Sequence, residues 1–410
     1  MRKRWYVKDN GFVNYFGLQR FGTRSVLTHE VGLAILQGKW EKAVDLILSY
    51  RFDDNTQPLP NAHDSTPDSV TPVTEQSVTN SSTEQTNQQH KQQRPNKRWA
   101  SGAEQHNACI DLWKSKLDAD LVFKKYPHFR MTNEGLIIRS LSRSEDSSHD
   151  YSTAIVSLPR NTRSMYVHSY QSLLWNKLTT LRLKKYGFKV IPGDLILNPE
   201  ANISNNSLDT LLAVDESEST DDVTTPMNSH LQDNSKDAKI TCEPKLLVEE
   251  IDSNILIATD ENLHKYTIFD VVLPLVGSKT KIPENETGRE LERLLSEDNL
   301  TLESFRAREK AFVSYGSYRK IMVRPNNLKW TIEQYSNPYQ NLVETDLDKL
   351  NKESASGDKM EADNRQSSPI KSDFSDEALI VSFELPPSSY ATMCLRELMK
   401  KPSTDFNNRF

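Results

Sequence analysis

Three long polar segments interrupt this chain and limit how much of it can fold. They cover residues 53–106, 200–244 and 345–375, and together they hold about 130 of the 410 residues. The first consists mostly of Ser, Thr, Gln, Asn and Pro, as in "TEQSVTNSSTEQTNQQHKQQ". Such runs bury too little apolar surface to offset the conformational entropy lost on ordering. We therefore predict three disordered loops and about 280 residues that can pack.

The polar segments also carry most of the acidic charge. Together they hold a formal charge of about −13, whereas the whole chain holds −6 at pH 7, so the remainder is basic at about +7. A basic surface favours a polyanionic partner because neutralised phosphates supply most of the sequence-independent affinity for nucleic acid. The alternative is an ordinary soluble protein, because a net charge of this size also occurs without such a partner.

The cysteines Cys109, Cys242 and Cys394 are far apart in the sequence and form no CxxC pair. This spacing predicts neither a disulfide framework nor a zinc site. No apolar run approaches the length of about 20 residues that spans a bilayer, and no apolar stretch follows the basic residues of "MRKRW". We expect an intracellular protein, nuclear or cytoplasmic, with no membrane partner and no metal.

Hydrophobic periodicity predicts several helices. Residues 26–50 fit two short helices, and Gly38 lies where a left-handed cap would end the first. Residues 110–126 also fit a helix, and "GLIIRSL" fits either a strand or the start of a helix. The longest helix is predicted over Thr162–Tyr186, ending at Gly187.

Runs rich in β-branched residues predict the strands, which we place in "KVIPGDLILN", "YTIFDVVLPLVG", "SYRKIMVRP", "LKWTIEQY" and "ALIVSFELP". A closing helix should follow the last strand, with Ser388 or Ser389 as its cap and Met393, Cys394 and Leu398 on its apolar side. Strands and helices mix without strict alternation. The predicted fold class is therefore α+β, with a mixed or antiparallel sheet.

The usual signatures of catalysis are missing from the sequence. There is no glycine-rich phosphate loop and no GxSxG elbow, and His29-Glu30 lacks the second histidine of a zinc protease helix. His168 has no ligand partner one helical turn away, so a packed or surface histidine is favoured over a metal ligand. One dense stretch remains, "NGFVNYFGLQRFG" from Asn10 to Gly22. Its residues alone indicate core aromatics, with Asn14 in a turn.

This stretch resembles the signature of the TruD family of RNA pseudouridine synthases. Three further stretches resemble the eukaryotic branch of that family, namely "LPRNTRSMYVHSYQSLLWN" from Leu158, "SYRKIMVRPNNLKW" from Ser317 and "LPPSSYATMCLREL" from Leu385. The four stretches follow one another in the order of the family, and the polar segments fall between them. The resemblance runs from about Gly11 to about Lys400.

The resemblance implies an enzyme that isomerises uridine in RNA without a cofactor. It implies a split catalytic domain with a mixed sheet, here residues 1–52 and 311–410, and a family-specific insertion domain at residues 107–310. The implied partner is tRNA, modified at its thirteenth nucleotide, with small nuclear and messenger RNA as further substrates in eukaryotes. We also predict a monomer.

The family motif also assigns candidate site residues. Asn14 and Phe16 match the positions that line the uridine pocket, where Phe16 would stack on the flipped base. The Asn14 amide would bond to a base edge or hold the loop that carries the catalytic aspartate. We further predict a basic face that contacts RNA phosphates. Its members are Arg20, Arg160, Arg163, Arg319, Lys320 and Arg324.

The sequence departs from the family at the catalytic carboxylate. In the family, an aspartate in a Lys-Asp motif lies well upstream of the aromatic signature and acts as the nucleophile, whereas only 13 residues precede Asn14. Asp9 lies five residues from Asn14, and we interpret it as a surface residue. We therefore expect an N-terminally truncated chain or incomplete gene model that is inactive by itself. The alternatives are a short protein that binds RNA without catalysis and a scaffold whose acidic loops recruit partners.

Overall fold

The structure is a computed structural model that describes residues 7–51, 102–143, 150–198, 253–306, 312–335, 337, 341–355 and 376–400. The chain divides into two compact units. One consists of Met1–Arg20 and Gln171–Phe410, and the other of Phe21–Tyr170. Helices and antiparallel strands both occur, which confirms the α+β fold class. Within the described residues, every helix is too short or too polar to cross a membrane.

The described part of Phe21–Tyr170 is built from helices. They are α1 (Thr28–Leu36), α2 (Trp40–Ile47), α3 (Gly102–Lys116), α4 (Ala119–Lys125), α5 (Asn133–Ser142), α6 (Tyr151–Val156), the first part of α7 (Arg160–Tyr186) and a 3-10 helix at Pro127–Met131. The predicted pair of short helices is confirmed, with Gly38 at a φ of +69° between them. The long helix α7 is confirmed as well, and Gly187 follows it at a φ of +59°.

The single helix predicted over residues 110–126 is wrong, because two helices occupy this stretch. The chain turns at Leu117, which has a φ of +53°. Asp118 then starts α4 by accepting hydrogen bonds from the backbone amides of Asp120 and Leu121. The ambiguous "GLIIRSL" stretch is helical and lies in α5, whose first turn is capped by the side chain of Thr132.

The other unit contains all the described strands. They are β1 (Phe12–Val13), β2 (Leu195–Leu197), β3 (Ile255–Ile257), β4 (Val271–Leu275), β5 (Ser317–Lys320), β6 (Met322–Val323), β7 (Asn326–Tyr335) and β8 (Asp376–Glu384). They form a four-stranded sheet in the order β3-β2-β4-β5 and the pairs β1-β6 and β7-β8, all antiparallel. Its described helices include the end of α7, α8 (Glu286–Glu297), α9 (Asp346–Ala355), α10 (Ala391–Met399) and 3-10 helices at Leu18–Arg20, Leu263–Lys265 and Leu302–Arg306, and residues 7–10 are helical as well.

The stretch from β5 to β6 takes part in two sheets. In β5, Arg319 lies opposite Leu273 of β4, and in β6, Val323 lies opposite Phe12 of β1. Ile321 connects the two, because its amide donates to Val271 and its carbonyl accepts from the amide of Asn14 at 2.8 Å. This change of partner brings β5 next to the residues that follow β1.

The closing helix α10 packs on β1. Phe12, Val323, Met393 and Cys394 are buried together, and Leu398 packs against them, so the predicted apolar side is confirmed. Burial raises the pKa of the Cys394 thiol to about 11.

The predicted cap of α10 is wrong, because Tyr390 occupies the N-cap position and makes no side-chain cap. Ser388 instead adopts a φ of +61°, and its carbonyl accepts a hydrogen bond from Arg319. Ser389 provides no cap either, since its buried hydroxyl has no hydrogen-bond partner among the described residues.

Two of the predicted disordered segments extend into helices. Residues 102–106 belong to α3, where buried His106 places Nε2 at 3.2 Å from the carbonyl of Ser49. Residues 346–355 form α9, whose first turn is capped by reciprocal hydrogen bonds between Thr345 and Asp348. Residues 53–101, 200–244 and 356–375 lie outside the described part of the chain.

The predicted catalytic and insertion domains stay a prediction. The compact units have other bounds, because β4 of the predicted insertion domain pairs with β5 of the predicted catalytic domain. The boundary between the units falls inside α7, between Tyr170 and Gln171.

Candidate functional site

The candidate site lies just after β1, where Asn14 and Phe16 are buried with exposed fractions of 4% and 5%. The 3-10 helix Leu18–Arg20 follows directly. Asn14 is fixed at both ends of its amide group. Its Nδ2 donates to the carbonyl of Lys320 at 3.3 Å, and its Oδ1 accepts from Nη2 of Arg319 at 2.8 Å. The orientation of the amide is therefore set by β5.

Arg319 uses all three of its guanidinium nitrogens inside the protein. Nε donates to the backbone carbonyl of Asn14 at 2.9 Å, Nη2 to the Asn14 side chain, and Nη1 to the carbonyl of Ser388 at 2.7 Å. The side chain is buried, with an exposed fraction of 3%. A planar guanidinium can satisfy three acceptors at fixed angles, whereas a lysine ammonium in the same place could not.

Phe16 is held through both its backbone and its ring. Asn176 accepts from the amide of Phe16 at 3.0 Å and donates to its carbonyl at 3.1 Å. The rings of Trp175 and Tyr390 contact the Phe16 ring edge-to-face, with centroids at 5.8 Å and 6.0 Å. The guanidinium carbon of Arg319 lies 4.0 Å from the centre of the Phe16 ring, a cation–π contact. We call these five residues with Asn14 the Phe16 cluster.

The Phe16 cluster holds hydrogen-bonding capacity that the described residues do not use. Nε1 of Trp175 is buried without a hydrogen-bond partner among them, as is Oγ1 of Thr392. Thr392 is next to the cluster, since its hydroxyl lies 3.2 Å from the position of a Cβ added to Gly17. Buried polar groups of native proteins are normally paired, so these two atoms are the ones in the cluster region that a polar ligand or water could satisfy. The cluster thus combines aromatic rings, unused polar atoms and a buried positive charge.

The remaining predicted RNA contacts are divided between the two units. Arg20 is half-buried, and its guanidinium carbon is 5.4 Å from the Phe16 ring. Arg324 is exposed and lies over Phe269 instead. Arg160 and Arg163 belong to the helical unit, where Arg160 is exposed and Arg163 donates to the carbonyl of Val156 at 2.9 Å.

The structure corrects the prediction for Arg319, which was expected on a basic surface. Its side chain is buried because three carbonyl or amide oxygens accept from it. Lys320, the next residue, is half-buried, and Asp9 is exposed as predicted. Among the described residues, no group of His, Cys, Asp or Glu side chains could hold a metal ion.

Sequence reasoning missed three members of the Phe16 cluster, namely Trp175, Asn176 and Tyr390. Each lies within one of the stretches that resemble the TruD family. The signal was therefore present in the motifs, but nothing in the spacing of Trp175 on a helix distinguishes a cluster residue from an ordinary core residue.

Comparison with known proteins identifies the family. The sequence model of the family described as "tRNA pseudouridine synthase D (TruD)" matches residues 3–97, 97–242 and 248–398, which is most of the chain. This chain belongs to the TruD family. The four motif stretches all lie inside the matched residues, so every residue of the Phe16 cluster is part of the TruD match.

The TruD relatives include eukaryotic proteins, as the motifs predicted. The chain is 30% identical over 403 residues to Multisubstrate pseudouridine synthase 7 of Schizosaccharomyces pombe, covering 98% of this chain and 46% of that protein. It is 29% identical over 396 residues to Pseudouridylate synthase 7 homolog of Homo sapiens, covering 96% and 42%. The chain therefore spans less than half the length of these relatives.

A solved structure assigned as the tRNA pseudouridine synthase D (TruD) of Methanosarcina mazei has a similar fold. The TM-score is 0.53 at 21% sequence identity, and the match covers 98% of this chain and 64% of the other. This likeness confirms the TruD-like fold.

Proposed function

We propose that this protein isomerises uridine to pseudouridine in RNA. The observation that carries the proposal is the meeting of all four family stretches at Phe16. Phe16 belongs to the first stretch, and Trp175 and Asn176 to the second. Arg319 comes from the third and Tyr390 from the fourth. Stretches that lie far apart in the sequence each place a side chain against one phenylalanine, as expected when a family motif builds one pocket.

The reaction breaks the bond from C1′ of the ribose to N1 of uracil and forms a bond from C1′ to C5. The C5 proton is lost and N1 gains a proton, so no cofactor is needed. The target uridine must first flip out of the base stack of the RNA, at a cost of a few kcal/mol. We assign base contact to Phe16 and hydrogen bonding to Asn14. Arg319 stabilises the negative charge that develops on uracil as it leaves the sugar, because a fixed cation in a buried site needs no reorganisation.

The family resemblance implies that an aspartate attacks C1′ and holds the ribose while uracil turns. The expectation that the 410 residues alone form no pseudouridine stays a prediction. Incubating this chain with unmodified RNA and mapping pseudouridine by carbodiimide treatment tests it. If this chain alone forms pseudouridine, the nucleophile should be sought among its own carboxylates.

We propose tRNA as the principal substrate, modified at its thirteenth nucleotide. Small nuclear and messenger RNA are further substrates in this proposal. The name of the Schizosaccharomyces pombe relative, Multisubstrate pseudouridine synthase 7, supports more than one substrate. We predict that the protein is a monomer. We also predict that it acts in the nucleus or the cytoplasm.

The test of the function is genetic and does not depend on the length of the expressed protein. Deletion of the gene from the source organism should remove pseudouridine from defined RNA positions, and the intact gene should restore it. If RNA from the deletion strain keeps every pseudouridine of the parent, the proposed function is wrong.

A further inference from the structure

An exposed arginine outside the Phe16 cluster is held in an unusual arrangement. Arg324 follows β6, and its guanidinium carbon lies 3.6 Å from the centre of the Phe269 ring. At this distance the guanidinium rests on the face of the ring. Its Nε also donates to the backbone carbonyl of Asp9 at 3.0 Å. Two contacts of different kinds therefore fix an exposed side chain that would otherwise sample many rotamers.

The support beneath Arg324 is itself tightly packed. Gly11 has a φ of +67°, and a Cβ added to it would lie 2.9 Å from Cε1 of Phe269 and 2.3 Å from the carbonyl oxygen of Val323. The amide of Gly11 donates to the carbonyl of Val7 at 2.9 Å. The backbone that presents the Asp9 carbonyl and the ring of Phe269 are thus locked against each other, and Arg324 lies on both.

The outer side of the guanidinium is available to a ligand. Among the described residues, Nη1 and Nη2 of Arg324 make no hydrogen bond and the side chain makes no ion pair. Its charge is therefore not neutralised locally. A guanidinium plane stacks well on an unpaired nucleobase, since both are flat, delocalised and weakly hydrated at their faces.

The geometry points to Arg324 as a stacking platform for an unpaired nucleobase of the bound RNA, with Phe269 as its support. This proposal rests on the proposed function, because it assumes that RNA binds this unit. A phosphate contact is less well matched. Side-on bidentate binding of an oxyanion uses Nε together with one Nη group, and the carbonyl of Asp9 already occupies Nε, so a phosphate could use only the end-on pair Nη1 and Nη2.

The test uses a single-stranded RNA oligonucleotide of mixed sequence and a series in which one abasic nucleotide replaces each position in turn. The intact chain should lose affinity roughly 5- to 150-fold at one abasic position, the range expected from the stacking of one base. Arg324→Lys keeps the positive charge but lacks the planar guanidinium group. It should bind the intact oligonucleotide more weakly by that same factor, show no further loss at that abasic position, and keep the salt dependence of the intact chain.

Two further variants test the support beneath Arg324 and provide a control. Phe269→Leu leaves Arg324 in place but removes the ring beneath it, and should also weaken binding and blunt the response to the abasic position. Arg289→Lys, at an exposed position on α8, should bind like the intact chain. Thermal unfolding of each variant shows whether it is folded.

Unchanged binding by Arg324→Lys would overturn the stacking role, and so would an equal loss at every abasic position. If the intact chain binds no RNA, the platform is refuted. The proposed function is judged separately, because the gene deletion experiment reads pseudouridine and not binding by this chain.

Discussion

Arg319 donates to both oxygens of Asn14, with Nε 2.9 Å from the backbone carbonyl and Nη2 2.8 Å from the side-chain Oδ1. The same guanidinium reaches the carbonyl of Ser388 and lies over the Phe16 ring. One buried side chain thus joins the residues after β1, the strand β5 and the turn before α10. Replacement of Arg319 should therefore destabilise all three of these segments.

Arg319→Lys should lower the free energy of unfolding by about 2–4 kcal/mol, because one ammonium cannot reach three acceptors and leaves buried oxygens without donors. Urea denaturation followed by circular dichroism measures the effect. The matched control is Arg289→Lys on the exposed side of α8, which should change stability by no more than about 0.5 kcal/mol. Equal stability of the two variants would contradict the structural role of Arg319.

Gly11→Ala should destabilise the protein far more than Gly38→Ala, although the two glycines have nearly the same φ of +67° and +69°. An added Cβ on Gly38 has no neighbour within 4 Å, so only the left-handed backbone costs energy, about 1–2 kcal/mol. On Gly11 it would overlap the Val323 carbonyl at 2.3 Å, which should add about 1–3 kcal/mol. Thermal melts of the two variants give the comparison, and similar losses would show that β6 moves away freely.

Phe16→Ala should reduce pseudouridine formation in the source organism by roughly 5- to 150-fold at the sites that gene deletion identifies, the range of one stacking interaction. Because Phe16 is buried, the same change should also cost about 3–5 kcal/mol of stability. Phe16→Leu separates the two effects, since it fills most of the volume but offers no ring. Conversion is normalised to the amount of protein on an immunoblot. If Phe16→Leu converts uridine to pseudouridine as fully as the unchanged protein, the Phe16 ring has no role in the mechanism.

His106 should make the protein less stable as the pH falls from about 7 to 5.5. Burial and the positive charge of Arg51 lower its pKa, and they outweigh the carbonyl of Ser49 and the charge of Glu134, which favour the proton. The unfolded state then binds more protons than the folded state below about pH 6.5, so stability present above that value is lost below it.

Replacement of His106 by Gln keeps a donor for the Ser49 carbonyl and removes the titration. Urea unfolding of His106→Gln at several pH values should therefore show a weaker pH dependence between 7 and 5.5. The control His264→Gln, at an exposed histidine, should keep the slope of the unchanged chain. An identical slope in all three proteins would assign the effect to other groups.

The helices could be predicted where a local rule determines them. Gly38 and Gly187 end their helices in the left-handed conformation, and both are visible in the sequence as glycines that follow a periodic apolar stretch. Helix α9 was missed for the opposite reason. Its leucines Leu347 and Leu350 are 66% and 59% exposed, so this helix packs few of its apolar side chains and its sequence reads as polar low complexity.

The candidate site could be predicted only in part, because its contacts are not local. Asn14 and Phe16 were found through a family motif, whereas the burial of Arg319 follows from acceptors on residues far away in the sequence. A basic stretch such as "SYRK" looks like surface when read alone. The same limit applies to Ser388, which was expected to cap α10 and instead offers its carbonyl to Arg319.

The hydrogen bonds between Asn14 and Arg319 join residues 305 positions apart. At the usual pace of translation, about 5–20 residues per second, roughly 15–60 s separate their synthesis. Throughout that interval Phe12 and Phe16 have left the ribosome, while β6, Tyr390 and the guanidinium that will cover them do not yet exist. β1 is therefore synthesised long before the strand and helix that cover it, and nascent chains of this protein carry an apolar segment that stays uncovered until β6 and α10 have been made.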